Sequence, residues 1–186
     1  MSSFQSFSDL DLPSLWLFTD ARNADDLDGI IATLPRGSGV VFRHYHLRED
    51  ARRAAFGALM HRHARHDLLW LWSGDVVTAQ ALHADGCYGP SAGPFSKRKG
   101  LWLATAHNMA ELVQAARQRA DGVFLSPVYP TRSHPGGKTL GSMRFAVLAR
   151  YSRCPVYALG GVTPYNWPRI SRFCNGWGAI DGLSRG

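Results

Sequence analysis

The chain has 186 residues, 45% of them hydrophobic and 19% charged, which suits one folded domain with a sizeable core and excludes disorder for the chain as a whole. No run of about 18 apolar residues occurs and the start, 1–12, is polar and acidic rather than basic then apolar, so the expectation is a soluble, cytoplasmic protein with no membrane span and no cleaved signal. The formal charge is +7, with eighteen arginines against three lysines; this balance suits a phosphorylated small molecule or simply a basic surface, and it disfavours nucleic acid because the arginines are scattered and no binding signature accompanies them.

Eight short apolar runs read as strands, in chain order 15–18, 39–43, 68–72, 86–88, 101–104, 122–125, 156–159 and 177–180. Between them, intervals at about 24–34, 49–66, 76–83, 108–119, 142–152 and 164–171 read as helices. Asn108 is placed to cap the interval 108–119, and Thr163 before Pro164 to cap the interval 164–171. Strands that are apolar throughout are buried on both faces, and their alternation with helices predicts a parallel sheet. Eight of them predict an α/β fold, the closed (β/α)8 TIM barrel, as a single domain over 1–186. That length is short for such a barrel. The interval 91–100 is too short and too rich in Gly, Pro and Lys for a helix, and only 184–186 follow the last strand. A trimmed barrel lacking one or two outer helices is therefore expected, its bared apolar face covered by the segment 4–12 or by a second copy in a homodimer.

Three cysteines, Cys87, Cys154 and Cys174, are widely spaced and lack any CxxC pairing, as expected of thiols in a reducing compartment. His61, His63 and His66 are spaced so that only the last two share a helical face, and no metal site is expected there. His44 and His46 alternate along the second strand, which would set one of them at the mouth of the barrel near Arg43. Tyr45, Trp72 and Tyr88 fall near strand ends, either stacking on a planar heterocycle or packing the barrel.

In such barrels the loops at the carboxyl ends of the strands carry the active site. The longest, SPVYPTRSHPGGKTLG at 126–141, brings hydroxyls from Thr131 and Ser133, positive charge from Arg132, His134 and Lys138, and backbone amides at Gly136 and Gly137. That set suits phosphate oxygens. After the seventh strand Gly160 and Gly161 precede the capped helix, whose amino end would add positive charge, and after the eighth Gly182 closes the turn.

The segments ADGVFLSPVYPTRSHPGGKTLG, PVYALGGV and GWGAIDGL resemble the thiamine-phosphate synthase family, which includes the TenI-type thiazole tautomerases; LWLFTDAR, LHADG and LATAHNMAEL are similar more loosely. The resemblance implies a barrel that joins hydroxymethylpyrimidine pyrophosphate to thiazole phosphate with release of pyrophosphate and help from Mg2+. It implies catalytic roles for Arg43, Thr131, Ser133 and His134, and substrate or phosphate binding by Gly160, Gly161, Gly182, Thr105 and Lys138. The family's strand-two Gln-x-Arg-x-Lys reads Val41, Arg43 and Tyr45 here, and its Asn-Asp pair after strand three falls on Ser73-Gly74. The segment after strand four reads from Tyr88 to Gly93, so the carboxylates that would hold Mg2+ are absent, with Asp75 one residue beyond one expected position. Pro127 stands where the tautomerase has its catalytic histidine, so His107 or His134 would have to substitute. The alternative within the resemblance is a TenI-like or catalytically silent protein that binds thiazole phosphate or thiamine phosphate.

Overall fold

A computed structural model of the chain describes residues 12–91, 99–133 and 135–183. Eight parallel strands, β1 (Leu15–Phe18), β2 (Ser38–Phe42), β3 (Leu68–Ser73), β4 (Gly86–Tyr88), β5 (Leu101–Ala106), β6 (Gly122–Leu125), β7 (Val156–Ala158) and β8 (Gly176–Ala179), pair in sequence order. β8 returns to β1 with Trp16 opposite Gly178, closing the barrel. Each expected strand is present, because a strand buried on both faces must be apolar at every position.

Side chains alternate between two cores. Trp16, Phe18, Val41, Leu71, Leu103, Phe124 and Tyr157 fill the interior of the barrel. Their rings meet edge to face, Phe18 on Phe124 at 4.8 Å and Trp16 on Phe124 at 5.8 Å. Rings of that size fit only opposite residues without a side chain: a Cβ on Gly39 would lie 2.1 Å from the Trp16 ring, and one on Gly178 2.5 Å from Phe18. The alternate set, including Leu17, Val40, Trp70, Trp102 and Leu125, faces outward beneath the helices.

Those helices are α1 (Leu27–Thr33), α2 (Glu49–Arg62), α3 (Val76–Ala81), α4 (Met109–Arg117) and α5 (Gly141–Tyr151). Asn108 caps α4 as expected, accepting from the Glu111 N–H at 3.0 Å while its own amide donates to the Glu111 carboxylate at 2.6 Å. The helix expected over 164–171 does not form. Pro168 lies four residues after Pro164, so it has no N–H for the Pro164 carbonyl and its ring opposes that turn; two short 3-10 turns, Trp167–Arg169 and Ser171–Phe173, stand in its place. Thr163 and Asn166 nevertheless exchange the reciprocal cap, Thr163 N–H to Asn166 Oδ1 at 2.9 Å and Asn166 N–H to Thr163 Oγ1 at 3.3 Å.

No helix occurs between β4 and β5 among the described residues; 92–98, on which that expectation rests, lie outside them. The outward-facing Cys87 and Trp102 on that flank are nonetheless buried within the chain. Large exposed apolar side chains gather instead on α5, where Met143, Val147 and Tyr151 recur at every fourth position. Among the described residues no helix is long and apolar enough to cross a membrane.

Candidate active site

The carboxyl ends of the strands open on a cavity of about 850 Å3. Tyr88 lines it and packs edge-on against Phe18 of the barrel interior at 5.1 Å. Burial, partly offset by a hydrogen bond with Thr105, raises the Tyr88 pKa and keeps the phenol protonated. Arg43 reaches the cavity from the end of β2 and Thr105 from β5; Thr131, Ser133 and Lys138 come from the loop after β6. Gly160 and Gly161 follow β7, and Gly182 follows β8. Eight of the nine residues singled out from the sequence thus line one cavity; the ninth, His134, lies outside the described residues.

The ends of the long loop are tied together. Leu140 N–H donates to the Pro127 carbonyl and Gly141 N–H to the Val128 carbonyl, each at 2.9 Å. Its first residues extend the sheet: Val128 N–H bonds the Leu159 carbonyl at 3.0 Å and Tyr129 N–H the Gly160 carbonyl at 2.9 Å. Backbone on backbone leaves no room for a side chain. A Cβ on Gly160 would lie 2.8 Å from Pro127 Cα and one on Gly161 2.3 Å from the Pro130 carbonyl oxygen, with φ at +87° and +68°.

That packing also aims the amides. The carbonyls of Leu159, Gly160 and Gly161 are held by Val128, Tyr129 and the Asn166 side chain, the last at 2.8 Å. In a trans peptide the following N–H points the opposite way. The N–H groups of Gly160, Gly161 and Val162 therefore face away from those partners, and among the described residues none meets a protein acceptor. Successive N–H groups turned to one side form a nest of the kind that suits an anion. The positive end of a following helix, expected from the sequence, is not part of it, because only the 3-10 turns follow.

Arg22, in the 3-10 turn after β1, was not singled out from the sequence, yet it ties loops at the rim together. Its guanidinium donates from Nε to Asp20 at 2.9 Å, from Nη1 to Asp181 at 2.8 Å and from Nη2 to the Ser133 hydroxyl at 2.9 Å, joining three loops. Ser133 accepts in that bond and keeps its own proton to donate. Burial acts to raise the Asp20 pKa, but the hydrogen bonds and charge of Arg22, with Arg43 further off, outweigh it and hold the carboxyl below its usual value. Arg144, in the first turn of α5, also lines the cavity and was not foreseen. Only its position just after the long loop marked it.

The rim between β2 and β3 differs from expectation. Tyr45 OH and Ser73 Oγ share a hydrogen bond, and Arg52 from α2 lies 4.9 Å from the Tyr45 ring centre and 3.9 Å from that of Trp72. The Arg52 guanidinium also donates to the carbonyls of Arg43 and Ser73, clamping the two strand ends. Trp72 points outward and is buried, so of the three candidate stacking rings only Tyr45 and Tyr88 line the cavity. His44 is likewise not at the mouth. β2 ends at Phe42, so strand alternation no longer governs His44, which turns with φ at +32° and stacks on Phe42 at 4.6 Å with Nδ1 2.8 Å from Thr19 Oγ1. Burial, with the neighbouring His46, lowers its pKa to about 4. His63 pairs with Asp28 at 2.6 Å and lies 3.5 Å from His66.

His107 does line the cavity. Its Nδ1 lies 2.7 Å from the Ser126 carbonyl oxygen, which only accepts, so Nδ1 carries the proton and Nε2 is left for other partners.

The carboxylates near the cavity are already engaged. Asp75 spends its carboxylate on the cap of α3, accepting from the Thr78 N–H at 2.9 Å and the Thr78 hydroxyl at 2.8 Å. Burial acts to raise its pKa, but these bonds outweigh it and hold it below the usual carboxylate value. Asp20 and Asp181 are engaged by Arg22. Among the described residues no three His, Cys, Asp or Glu side chains converge as a metal site, and 92–98 contain no carboxylate. Among the described residues the donor set does not fit Mg2+, which wants hard oxygen ligands, one or two free carboxylates among them.

A closed eight-stranded parallel barrel whose carboxyl-end loops frame one cavity, with an amide nest after β7 and a cationic mouth, defines the class of (β/α)8 barrels. The thiamine monophosphate synthase family model matches residues 15–180, and the chain belongs to that family. It is 35% identical over 82 residues to a putative thiamine-phosphate synthase 2 of Aquifex aeolicus, covering 43% of this chain and 42% of that protein. It is 28% identical over 173 residues to a thiamine-phosphate synthase of Synechococcus, covering 84% of this chain and 48% of that one. The chain thus spans less than half the length of these two curated relatives. Among solved structures, a thiamine phosphate pyrophosphorylase from Pyrococcus furiosus superposes with a TM-score of 0.75 at 19% identity, over 92% of this chain and 86% of that one, and shares the fold.

Proposed function

We propose that the chain is a thiamine-phosphate synthase-type transferase, taking a thiazole phosphate and a hydroxymethylpyrimidine pyrophosphate. The observation that carries this reading is the amide nest of Gly160, Gly161 and Val162 opening on the same cavity as Arg43, Thr131 and Lys138. The nest takes the phosphate of the thiazole, with Gly182 close by: a Cβ there would lie 2.8 Å from the Val162 carbonyl oxygen. The thiazole nitrogen then attacks the pyrimidine methylene carbon, its bond to the pyrophosphate oxygen breaks, and negative charge gathers on the departing group. Arg43, Thr131, Ser133 and Lys138 meet that charge with preorganised donors, and Tyr45 and Tyr88 flank the rings. Apart from position and charge the protein has little to add.

Incubation with both substrates tests this. Thiamine phosphate should accumulate with release of one pyrophosphate per turnover; its absence in the presence of normal substrate binding overturns the assignment. A second reading, isomerisation of a thiazole phosphate, is favoured by His107, whose fixed Nδ1 proton leaves Nε2 to move a proton at the cavity wall. It predicts exchange of a ring proton with deuterated water that is lost in His107→Asn.

A further inference from the structure

We infer that this chain binds the diphosphate of its substrate with its own cationic side chains rather than with a divalent metal ion. The inference rests on the transferase reading and deepens it. Among the described residues four cationic side chains, Arg43, Arg132, Lys138 and Arg144, line the cavity, against one lining carboxylate, Asp181, which Arg22 already pairs at 2.8 Å. The full charge of a diphosphate monoester is about −3 near neutral pH, a value that metal-dependent sites lower by chelation. Here the side chains supply that neutralisation themselves.

The β2–β3 rim supports the same conclusion from the other side. A carboxylate-bound ion needs open oxygen donors, yet Ser73 is buried and bonded to Tyr45, and Arg52 holds the Ser73 and Arg43 carbonyls. A guanidinium thus occupies the backbone oxygens at that rim, and a second cation beside it is disfavoured. The Arg43 backbone N–H donates to Thr19 Oγ1 at 2.9 Å, and its guanidinium lies 5.3 Å from the Tyr45 ring centre, so its position is set from both ends. Arginine and lysine differ in what they offer a diphosphate: Arg43, Arg132 and Arg144 present planar forks for two oxygens at once, and Lys138 a point charge.

Calorimetric titration with inorganic pyrophosphate, in EDTA and then in excess Mg2+, separates the possibilities; inorganic phosphate serves as the probe of the nest. The expected result is pyrophosphate binding in EDTA that Mg2+ leaves unchanged or weakens, since chelation lowers the charge of the ligand. Lys138→Ala and Arg144→Ala should each weaken it by roughly tenfold or more while phosphate binding changes less. Pyrophosphate binding that requires Mg2+ overturns the inference and leaves the transferase reading standing. Phosphate binding with no pyrophosphate binding under either condition also overturns it, and failure of both anions to bind overturns the phosphate nest as well.

Discussion

Arg22 Nη1 stands 2.8 Å from Asp181 Oδ2, two residues separated by 159 positions and brought together where the first and last loops of the barrel meet. The same guanidinium holds Ser133, so the long loop is latched across the mouth by one side chain.

Replacing Arg22 by Ala should therefore act on order more than on stability. The partners are about a quarter to two-fifths exposed, and pairs so open to solvent contribute about 0.2 to 1 kcal/mol each. A fall in Tm of only a few degrees is expected, about 2 to 4 °C per kcal/mol in a chain of this size. Amide exchange over 127–141 should accelerate clearly. Unchanged exchange there would show that the latch does not order the loop.

Gly160→Ala is expected to damage the fold of the mouth and the anion site together. The added Cβ meets the Pro127 backbone at 2.8 Å, and the residue must keep φ at +87°. A cost of about 1 to 3 kcal/mol or more follows, with loss of phosphate binding. Gly136→Ala is the control: φ is +72° but nothing lies within 4 Å of the new Cβ, so only the conformational cost of about 1 to 2 kcal/mol applies. Urea unfolding of both variants beside phosphate titration checks the difference.

Stability should rise with pH between about 4 and 6.5, and His44 should be the cause. Burial and His46 lower its pKa from 6.5 to about 4 in the folded chain, so over that window the unfolded chain binds more protons. Acidification then favours unfolding, by up to about 1.4 kcal/mol per pH unit. The depressed carboxyls of Asp20, Asp28 and Asp75 act lower, their contribution being lost as pH falls below about 4. His44→Asn, which tolerates the positive φ, should flatten the slope above pH 4 in denaturant titrations. A slope that persists would place the titration elsewhere.

Asp75→Ala should lower stability by about 1 kcal/mol through loss of the α3 cap and leave pyrophosphate affinity as it was. A loss of affinity that Mg2+ had supported would identify Asp75 as a metal ligand instead.

The amino-acid order by itself determined the barrel, because strands enclosed on both faces must be apolar throughout and such runs stand out from the helices between them. It also marked the long loop and the glycines Gly160 and Gly161, since hydroxyls, charge and missing side chains next to a strand end are local signals. The helix over 164–171 was misread for a local reason too, Pro168 falling inside it. What only the tertiary structure decided is direction and partnership. Whether Trp72 or Ser73 faces the interior depends on register against the neighbouring strands, and a shift of one residue reverses it. Arg22 finds Ser133 and Asp181, and Arg52 finds Ser73, across long stretches of chain, because closing the barrel sets the ends of distant strands side by side on one rim.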